Sequence, residues 1–192
     1  MSRKVFNYLI LTGLSLIALG AHALEFSRVL SDKSSIGFAY KQMNVPLDGK
    51  FGKFAAQIGF DPAKPEAAQA RFEIDVASID TGSSEADEEV VGKDWFNAKA
   101  FPTAKFVSTR VKPLGANRFE VQGQLTIKGK SLPVTAPFTF RQDGASALFD
   151  GSFTIKRLDF AIGEGEWADV GTVANEVQIR FHIVGAAASA QK

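Results

Sequence analysis

The chain has 192 residues with nearly balanced charge, 22 Lys and Arg against 21 Asp and Glu, and it contains two His and no Cys. This balance speaks against a nucleic-acid-binding surface and against adhesion to an anionic membrane through charge. The lack of Cys excludes disulfide bonds and, with so few His, a zinc site with the usual nitrogen and sulfur ligands.

The first residues have the pattern of a secretory signal peptide. Arg3 and Lys4 give a short cationic start, a largely apolar run covers residues 5–19, and Ala-His-Ala at residues 21–23 fits the small-x-small cleavage pattern. The alternative is an amino-terminal membrane anchor, for which the run is short and interrupted by polar residues. We therefore expect export with cleavage.

Cleavage after Ala23 divides the chain into a signal peptide, residues 1–23, and one mature domain, residues 24–192. Removing 23 of 192 residues leaves 169, enough for a single domain with a substantial core. Two basic residues leave with the signal, so 20 basic and 21 acidic residues give the mature chain a net charge of −1. His182 becomes the one mature histidine. We expect a periplasmic protein without stable membrane insertion.

Seven segments of the mature chain alternate between apolar and polar residues. This period of two predicts strands with one dry face and one face in water. The segments follow one another at residues 35–41, 54–60, 71–76, 119–128, 134–141, 149–156 and 176–183. The prolines of "DPAKP" predict a loop after the second segment, and "IKGKS" predicts a hairpin turn after the fourth.

Residues 82–102 break the alternation and have helical or loop character. Ser83 or Ser84 can cap a short helix whose first turn is acidic, which is favourable near the positive helix end. Gly92 can end this helix and Pro102 ends the segment. The segment is therefore predicted to be a short helical insertion between strands.

About eight strands with short connections predict an all-β protein, either a sandwich or an antiparallel barrel. A barrel of about eight strands has an interior that side chains can fill or that can hold one small ligand. Sixteen of the 17 Phe lie outside residues 1–23, so the interior is rich in rigid aromatic rings. Alternation alone does not decide between a filled and a ligand-holding barrel.

Five segments follow one another in a characteristic order and spacing: "GKFGKFAAQIGFDP" (49–62), "IDVASIDTG" (74–82), "KDWFNAKAFPTAKFVST" (93–109), "VQGQLTIKGKSLPV" (121–134) and "RLDFAIG" (157–163). Together they resemble the YceI-like family of bacterial exported proteins. The resemblance runs from about Phe26 to Val184, over nearly all of the mature chain.

The resemblance implies a lipocalin-like antiparallel β-barrel with a long apolar cavity that holds an isoprenoid quinone or a polyprenyl lipid. Strand parity then predicts which side chains line the cavity: Phe38, Phe54, Phe72, Ile74, Phe106, Phe119, Val121, Leu125, Phe138, Phe140, Phe153, Ile179 and Phe181. Trp95, Phe96 and Trp167 are candidates for the rim. Relatives often carry His where this chain has Lys33, Gln42 and Glu89, so any headgroup or metal role of those His is not expected here.

Two further functions stay open. The barrel could be a stress-related structural protein packed solid with Phe. It could also be an isomerase or hydrolase acting on lipid, with Asp75, Asp80 or Glu89 as acid or base. We expect the binding function, with no catalytic residue, no metal and no cofactor other than the isoprenoid ligand. The sequence leaves a homodimer open.

Several single features have two interpretations. Trp95 and Phe96 could form a gate at one mouth of the barrel or plug that end as core. The carboxylates around Trp167 could bind Ca²⁺ or form a solvated acidic loop, and the second interpretation is favoured because the spacing does not match a regular calcium loop. Lys41, Lys93 and Arg157 are candidates to meet a phosphate or quinone oxygen at the rim.

Overall fold

The computed structural model describes residues 25–187, so the predicted signal peptide, residues 1–23, lies outside the described residues. The strands are Phe26–Val29 (β1), Ser35–Gln42 (β2), Val45–Phe51 (β3), Phe54–Gly59 (β4), Gln69–Asp75 (β5), Ile79–Asp80 (β6), Thr103–Gly115 (β7), Arg118–Ile127 (β8), Lys130–Asp143 (β9), Ser146–Lys156 (β10) and Glu176–Ala187 (β11). One α-helix, Ser84–Val90 (α1), lies between β6 and β7. Short 3₁₀ helices cover Ser31–Lys33, Pro65–Ala67, Val76–Ser78, Arg157–Phe160 and Gly165–Ala168.

The strands form one antiparallel sheet that rolls back on itself. Its order is β4-β5-β7-β8-β9-β10-β11-β2-β3-β6, and β1 pairs with β11. β3 and β4 lie near opposite ends of this order, yet only Gly52 and Lys53 separate them along the chain. The backbone N–H of Gly52 donates to the carbonyl of Ser78 at this bend, 2.8 Å away. The predicted antiparallel β-barrel is therefore confirmed.

The predicted count of about eight strands is approximate, because alternation did not mark β1, β3, β6 and β7. β7 shows the physical reason most clearly. Its register with β8 shifts between Ser108 and Arg110, so that one extra residue enters the strand. Phe106 and Val111 both face inward although one number is even and the other odd, and such a bulge interrupts any period-two pattern.

Local signals in the predicted hairpin and helix are also confirmed. Lys128 and Gly129 have φ values of 49° and 76° in the two-residue turn between β8 and β9, as a type I′ hairpin requires. The Ser83 hydroxyl accepts a hydrogen bond from the N–H of Ala86 at the start of α1. The helix ends at Val90, two residues before Gly92.

An aromatic cluster closes one part of the barrel. Phe60 lies at its centre, with its ring centroid 5.0 Å from that of Phe140, 5.2 Å from Phe149 and 5.3 Å from Phe119. Phe26 joins the cluster through Phe140 and is completely buried. Such aromatic pairs add roughly 0.5–1.5 kcal/mol each beyond the burial of their area, so this cluster is a rigid part of the core.

Candidate functional site

The inner face of the rolled sheet encloses a cavity of about 780 Å³. Its wall is mainly aromatic and aliphatic, because the inward positions of β2, β5, β8, β10 and β11 are occupied by Phe, Ile, Leu and Val. This volume lies within the range of roughly 300–1,000 Å³ that is typical of small-molecule sites. The interior is therefore not filled by side chains, which speaks against the solid-packed barrel.

Thirteen of the sixteen predicted site residues lie on the cavity wall. They come from strands that are far apart in sequence and from the helical insertion, and the roll of the sheet brings them together. They are Phe38, Phe72, Ile74, Trp95, Phe96, Phe106, Val121, Leu125, Phe138, Phe153, Trp167, Ile179 and Phe181. Their contact with a ligand stays a prediction.

Three predicted lining residues are not on the cavity wall, which corrects the sequence-based assignment. Phe119 and Phe140 face inward, but they pack in the aromatic cluster around Phe60. Phe54 begins β4 at the bend, where it pairs with Ile74. The physical reason is the same for all three: alternation predicts the face of a strand and says nothing about depth along the barrel.

Sequence reasoning missed further wall residues. Some lie on the very rows that alternation had marked, namely Ile36, Tyr40, Ile58, Ile155, Val177 and Ile183. Strand parity could have found these, had every inward position been taken rather than chiefly the Phe residues. Leu47 and Phe51 belong to β3, whose sequence VPLDGKF alternates but carries Pro and Gly, two residues that are depleted in strands.

Glycines on neighbouring strands leave space for aromatic rings of the cavity wall. Gly49 lies opposite Phe38 across β2 and β3, and Gly151 lies opposite Phe181 across β10 and β11. A Cβ atom added at Gly151 would lie 2.5 Å from the carbonyl oxygen of Pro137 and even closer to the Phe181 ring. The rings thus lie over bare backbone, and this close contact helps to shape the cavity.

One end of the cavity is polar and borders α1. Glu85 and Glu89, four residues apart on the same helix face, both line this end. The indole Nε1 of Trp167 donates to Oε1 of Glu89 at 3.0 Å and ties the loop after β10 to the helix. Burial, with a smaller contribution from the nearby carboxylate of Asp87, raises the pKa of Tyr40 on the same wall. We refer to the end of the cavity bordered by α1 as the mouth.

Arg157 lies against the cavity but its guanidinium is fully engaged. The side chain is only 1% exposed, and its guanidinium lies 5.5 Å above the Trp95 ring. Burial lowers the pKa of Arg157, and the charge of Asp169 partly opposes this effect. All five N–H groups donate to backbone carbonyls, those of Ile162, Gly163, Trp167, Val173 and Ala174.

The engagement of Arg157 corrects its predicted role at the rim, because no N–H of the guanidinium is left to meet a ligand oxygen. Its observed role is to hold the loop of residues 162–174 against the barrel. Lys41 and Lys93, the other predicted rim cations, are not among the residues of the cavity wall.

The aromatic residues near the mouth pack as a group. The rings of Trp95 and Trp167 lie 5.4 Å apart, and Phe96 meets Phe51 edge-on at 6.5 Å. Trp95 is buried, and within residues 25–187 its Nε1 has no hydrogen-bond partner. Trp95 therefore serves as a wall of the cavity, and whether it also moves as a gate stays a prediction.

The carboxylates that could have served an enzyme do not converge in the cavity. Asp75 accepts a hydrogen bond from the N–H of Ala77, and Asp80 accepts one from the N–H of Gly82; neither carboxylate lies on the wall. Glu89 alone of the three candidates borders the cavity. The loop carboxylate Asp169 accepts from the N–H of Gly171 and the hydroxyl of Thr172, which lowers its pKa.

Within residues 25–187, no three His, Cys, Asp or Glu side chains come together in a way that could hold a metal ion. In the same part of the chain, no helix combines the length and apolar character needed to cross a bilayer.

Comparison with known sequences places this architecture among related chains. A model of the YceI-like domain matches residues 28–185. A UPF0312 protein of Pseudomonas fluorescens is 37% identical over 177 residues, which cover 86% of this chain and 82% of that protein. A UPF0312 protein of Azotobacter vinelandii is 32% identical over 172 residues, with the same coverage of both chains.

Solved structures show the same fold. The crystal structure of Burkholderia cenocepacia BcnA superposes with a TM-score of 0.80 at 51% identity, covering 82% of this chain and 99% of that one. A polyisoprenoid binding domain from Saccharophagus degradans, implicated in plant cell wall breakdown, superposes with a TM-score of 0.66 at 14% identity. It covers 86% of this chain and 99% of that domain, and at this identity the likeness shows the fold alone.

Proposed function

We propose that this chain, which belongs to the YceI-like domain family, binds an isoprenoid lipid, holds the tail in its barrel cavity, and thereby sequesters or carries it. The observation that carries the proposal is the cavity of about 780 Å³, whose wall is mainly aromatic and aliphatic. The name of the Saccharophagus degradans domain, which shares the fold, supports the same class of ligand.

The energetics favour an apolar tail over a polar ligand. Burying hydrocarbon is favourable by about 0.8 kcal/mol per methylene, so each five-carbon isoprene unit contributes up to about 4 kcal/mol. A polar ligand would have to exchange its hydrogen bonds with water for an apolar wall, which is costly. Loss of translational freedom on binding offsets part of the gain.

The aromatic rings of the wall suit a methyl-branched chain. Phe38 and Phe181 lie over glycines, against the bare backbone of the neighbouring strand. A wall that is already ordered loses little conformational entropy when a ligand enters, and this preorganisation increases affinity. The wall thus provides a rigid slot rather than a flexible pocket.

Export is part of the proposal. The cationic start, the apolar run and the Ala-His-Ala site in residues 1–23 support secretion to the periplasm with removal of the signal peptide. Ligand capture there would require no chemistry from the protein, and the wall is mainly hydrocarbon. Amino-terminal sequencing of the protein purified from periplasm tests cleavage after Ala23.

Native mass spectrometry of the mature protein, purified gently from a bacterial periplasm, tests the binding function. Organic extraction and lipid analysis then identify the bound molecule. One isoprenoid per chain is the expected result. A clean protein that also fails to take up added isoprenoids would overturn the proposal. The same spectrum reports whether a homodimer forms.

A further inference from the structure

We propose that the mouth of the cavity selects isoprenoids with an uncharged oxygen headgroup, such as a quinone or an alcohol, and disfavours those that end in a phosphate. This inference rests on the proposed function, since it concerns the headgroup of a ligand whose tail lies in the cavity. It follows from the charges that border the mouth and from the hydrogen bonds that already occupy the nearby cations.

Two carboxylates face a headgroup at the mouth. Glu85 and Glu89 lie on the cavity side of α1, and both are solvent-exposed. A hydrogen bond from the Ser83 hydroxyl lowers the pKa of Glu85, so this group is ionised at neutral pH. A phosphate monoester carries a charge between about −1.5 and −2 at pH 7 and would be repelled by both groups.

The cations nearby are already engaged. Arg157, the one Lys or Arg of residues 25–187 on the cavity wall, donates all five of its N–H groups to backbone carbonyls. Lys128 follows the wall residue Ile127, and its ammonium donates to the carbonyls of Lys93 and Ala161 and to Glu164. Recruiting Arg157 to a phosphate would leave buried carbonyls without partners, which is unfavourable. Recruiting Lys128 would break its ion pair with Glu164 and two hydrogen bonds to carbonyls.

The start of α1 does not provide a replacement for these cations. The Ser83 hydroxyl accepts from the N–H of Ala86, and the carboxylate of Glu85 accepts from that same hydroxyl. The Asp87 carboxylate accepts from both the N–H and the hydroxyl of Thr81. The region that could attract an anion is thus already satisfied by the side chains of this chain.

An uncharged oxygen finds a more suitable environment there. Gln42 and Tyr40 belong to the same wall, and each carries a side-chain donor. Their donors can serve a carbonyl or hydroxyl oxygen without the desolvation that an ionised phosphate requires. The structure thus favours neutral oxygen headgroups through both repulsion of anions and available donors.

The experiment compares ligands that share one tail and differ only in the headgroup. A polyprenol, the matching polyprenyl phosphate and a quinone with the same number of isoprene units are titrated into delipidated mature protein at pH 7.5 and low salt. Quenching of Trp fluorescence reports binding, and native mass spectrometry confirms the stoichiometry. We expect the phosphate to bind at least about tenfold more weakly than the alcohol, because two partly solvated carboxylates, Glu85 and Glu89, repel its charge.

Two variants identify the source of the discrimination. Glu85→Gln combined with Glu89→Gln should narrow the gap in affinity between phosphate and alcohol severalfold, because the affinity for the phosphate should change more than the affinity for the alcohol. Glu88→Gln removes one carboxylate charge from the same helix at a position away from the wall, and should leave the gap in affinity nearly as it was. Raising the ionic strength should also narrow the gap in the native protein, because the carboxylates are exposed.

The outcomes separate the two proposals. If none of the three ligands binds, the proposed function fails. If all bind and the phosphate binds as tightly as the alcohol, the function stands and the headgroup inference is overturned. If the phosphate is disfavoured but the Glu85 and Glu89 double variant changes nothing, the carboxylates are not the cause and the inference is likewise overturned.

Discussion

The substitution Gly151→Ala tests whether rings packed over bare backbone shape the cavity. The new Cβ would lie 2.5 Å from the carbonyl oxygen of Pro137, 3.0 Å from the Cβ of Phe138, and closer still to the Phe181 ring. The ring can rotate into the cavity, but the Pro137 carbonyl is backbone of the neighbouring strand and moves only with it. Overpacking of this kind costs about 1–3 kcal/mol.

Thermal and urea unfolding of the mature protein measure this cost. For chains of this size, each kcal/mol lowers the melting temperature by about 2–4 °C, so we expect a fall of roughly 2–12 °C. Isoprenoid affinity should fall as well, because the displaced Phe181 ring enters the space of the tail. Both readouts depend on the same contact and should therefore change together.

Gly59→Ala provides the matched control. Gly59 is also a strand glycine, but a Cβ there would meet only the Glu25 carboxylate at 3.5 Å, an ordinary contact distance. Loss of chain freedom in the unfolded state should make this variant neutral or more stable by about 0.4–1 kcal/mol. Equal unfolding midpoints for the Gly151 and Gly59 variants would refute the argument from ring contacts.

Three more predictions follow from single side chains. Arg157→Lys should lower the free energy of unfolding by about 2–5 kcal/mol, because an ammonium has three donors for the five carbonyls that the guanidinium serves. Urea unfolding measures this change, and an unchanged midpoint would contradict the hydrogen bonds described. Phe140→Ala should lower the free energy of unfolding by about 3–5 kcal/mol and leave the isoprenoid affinity of the folded protein unchanged. Phe153→Ala, on the cavity wall, should change that affinity. Equal effects of the two variants on affinity would argue against the position of the wall described above. Lys128 lowers the pKa of Glu164 chiefly through a hydrogen bond. The stability from this pair is therefore present above the ordinary carboxyl pKa and is lost as pH falls through the lowered pKa of the folded state. Lys128→Met should make the urea unfolding midpoint less dependent on pH over that acidic range.

Much of the fold follows from local sequence patterns. Alternation depends on the two-residue period of a strand, so it correctly predicted inward rows such as Phe38 on β2 and Ile179 on β11. The Ser83 cap and the Lys-Gly turn were also predictable, because each is decided by a few neighbouring residues. Irregular strands were not predictable in this way, and the extra residue near Ser108 in β7 shows why.

The position of a residue along the barrel depends on partners that are distant in sequence. Phe119 and Phe138 both face inward on paired strands, with rings 5.4 Å apart, yet Phe138 lies on the cavity wall and Phe119 does not. Phe119 packs edge-on against Phe60, which follows β4 and is distant from Phe119 in sequence. No local pattern around residue 119 carries that information.

The sequence by itself determined the β class, the inward rows, the helical insertion and the resemblance to the YceI-like family. Only the tertiary structure decided that the interior keeps a cavity, and that Arg157 belongs to a loop instead of a ligand. The physical reason is that the face of a strand on which a residue lies depends on its neighbours in sequence. The volume of the cavity and the hydrogen-bond partners of a buried side chain depend on how the whole sheet folds.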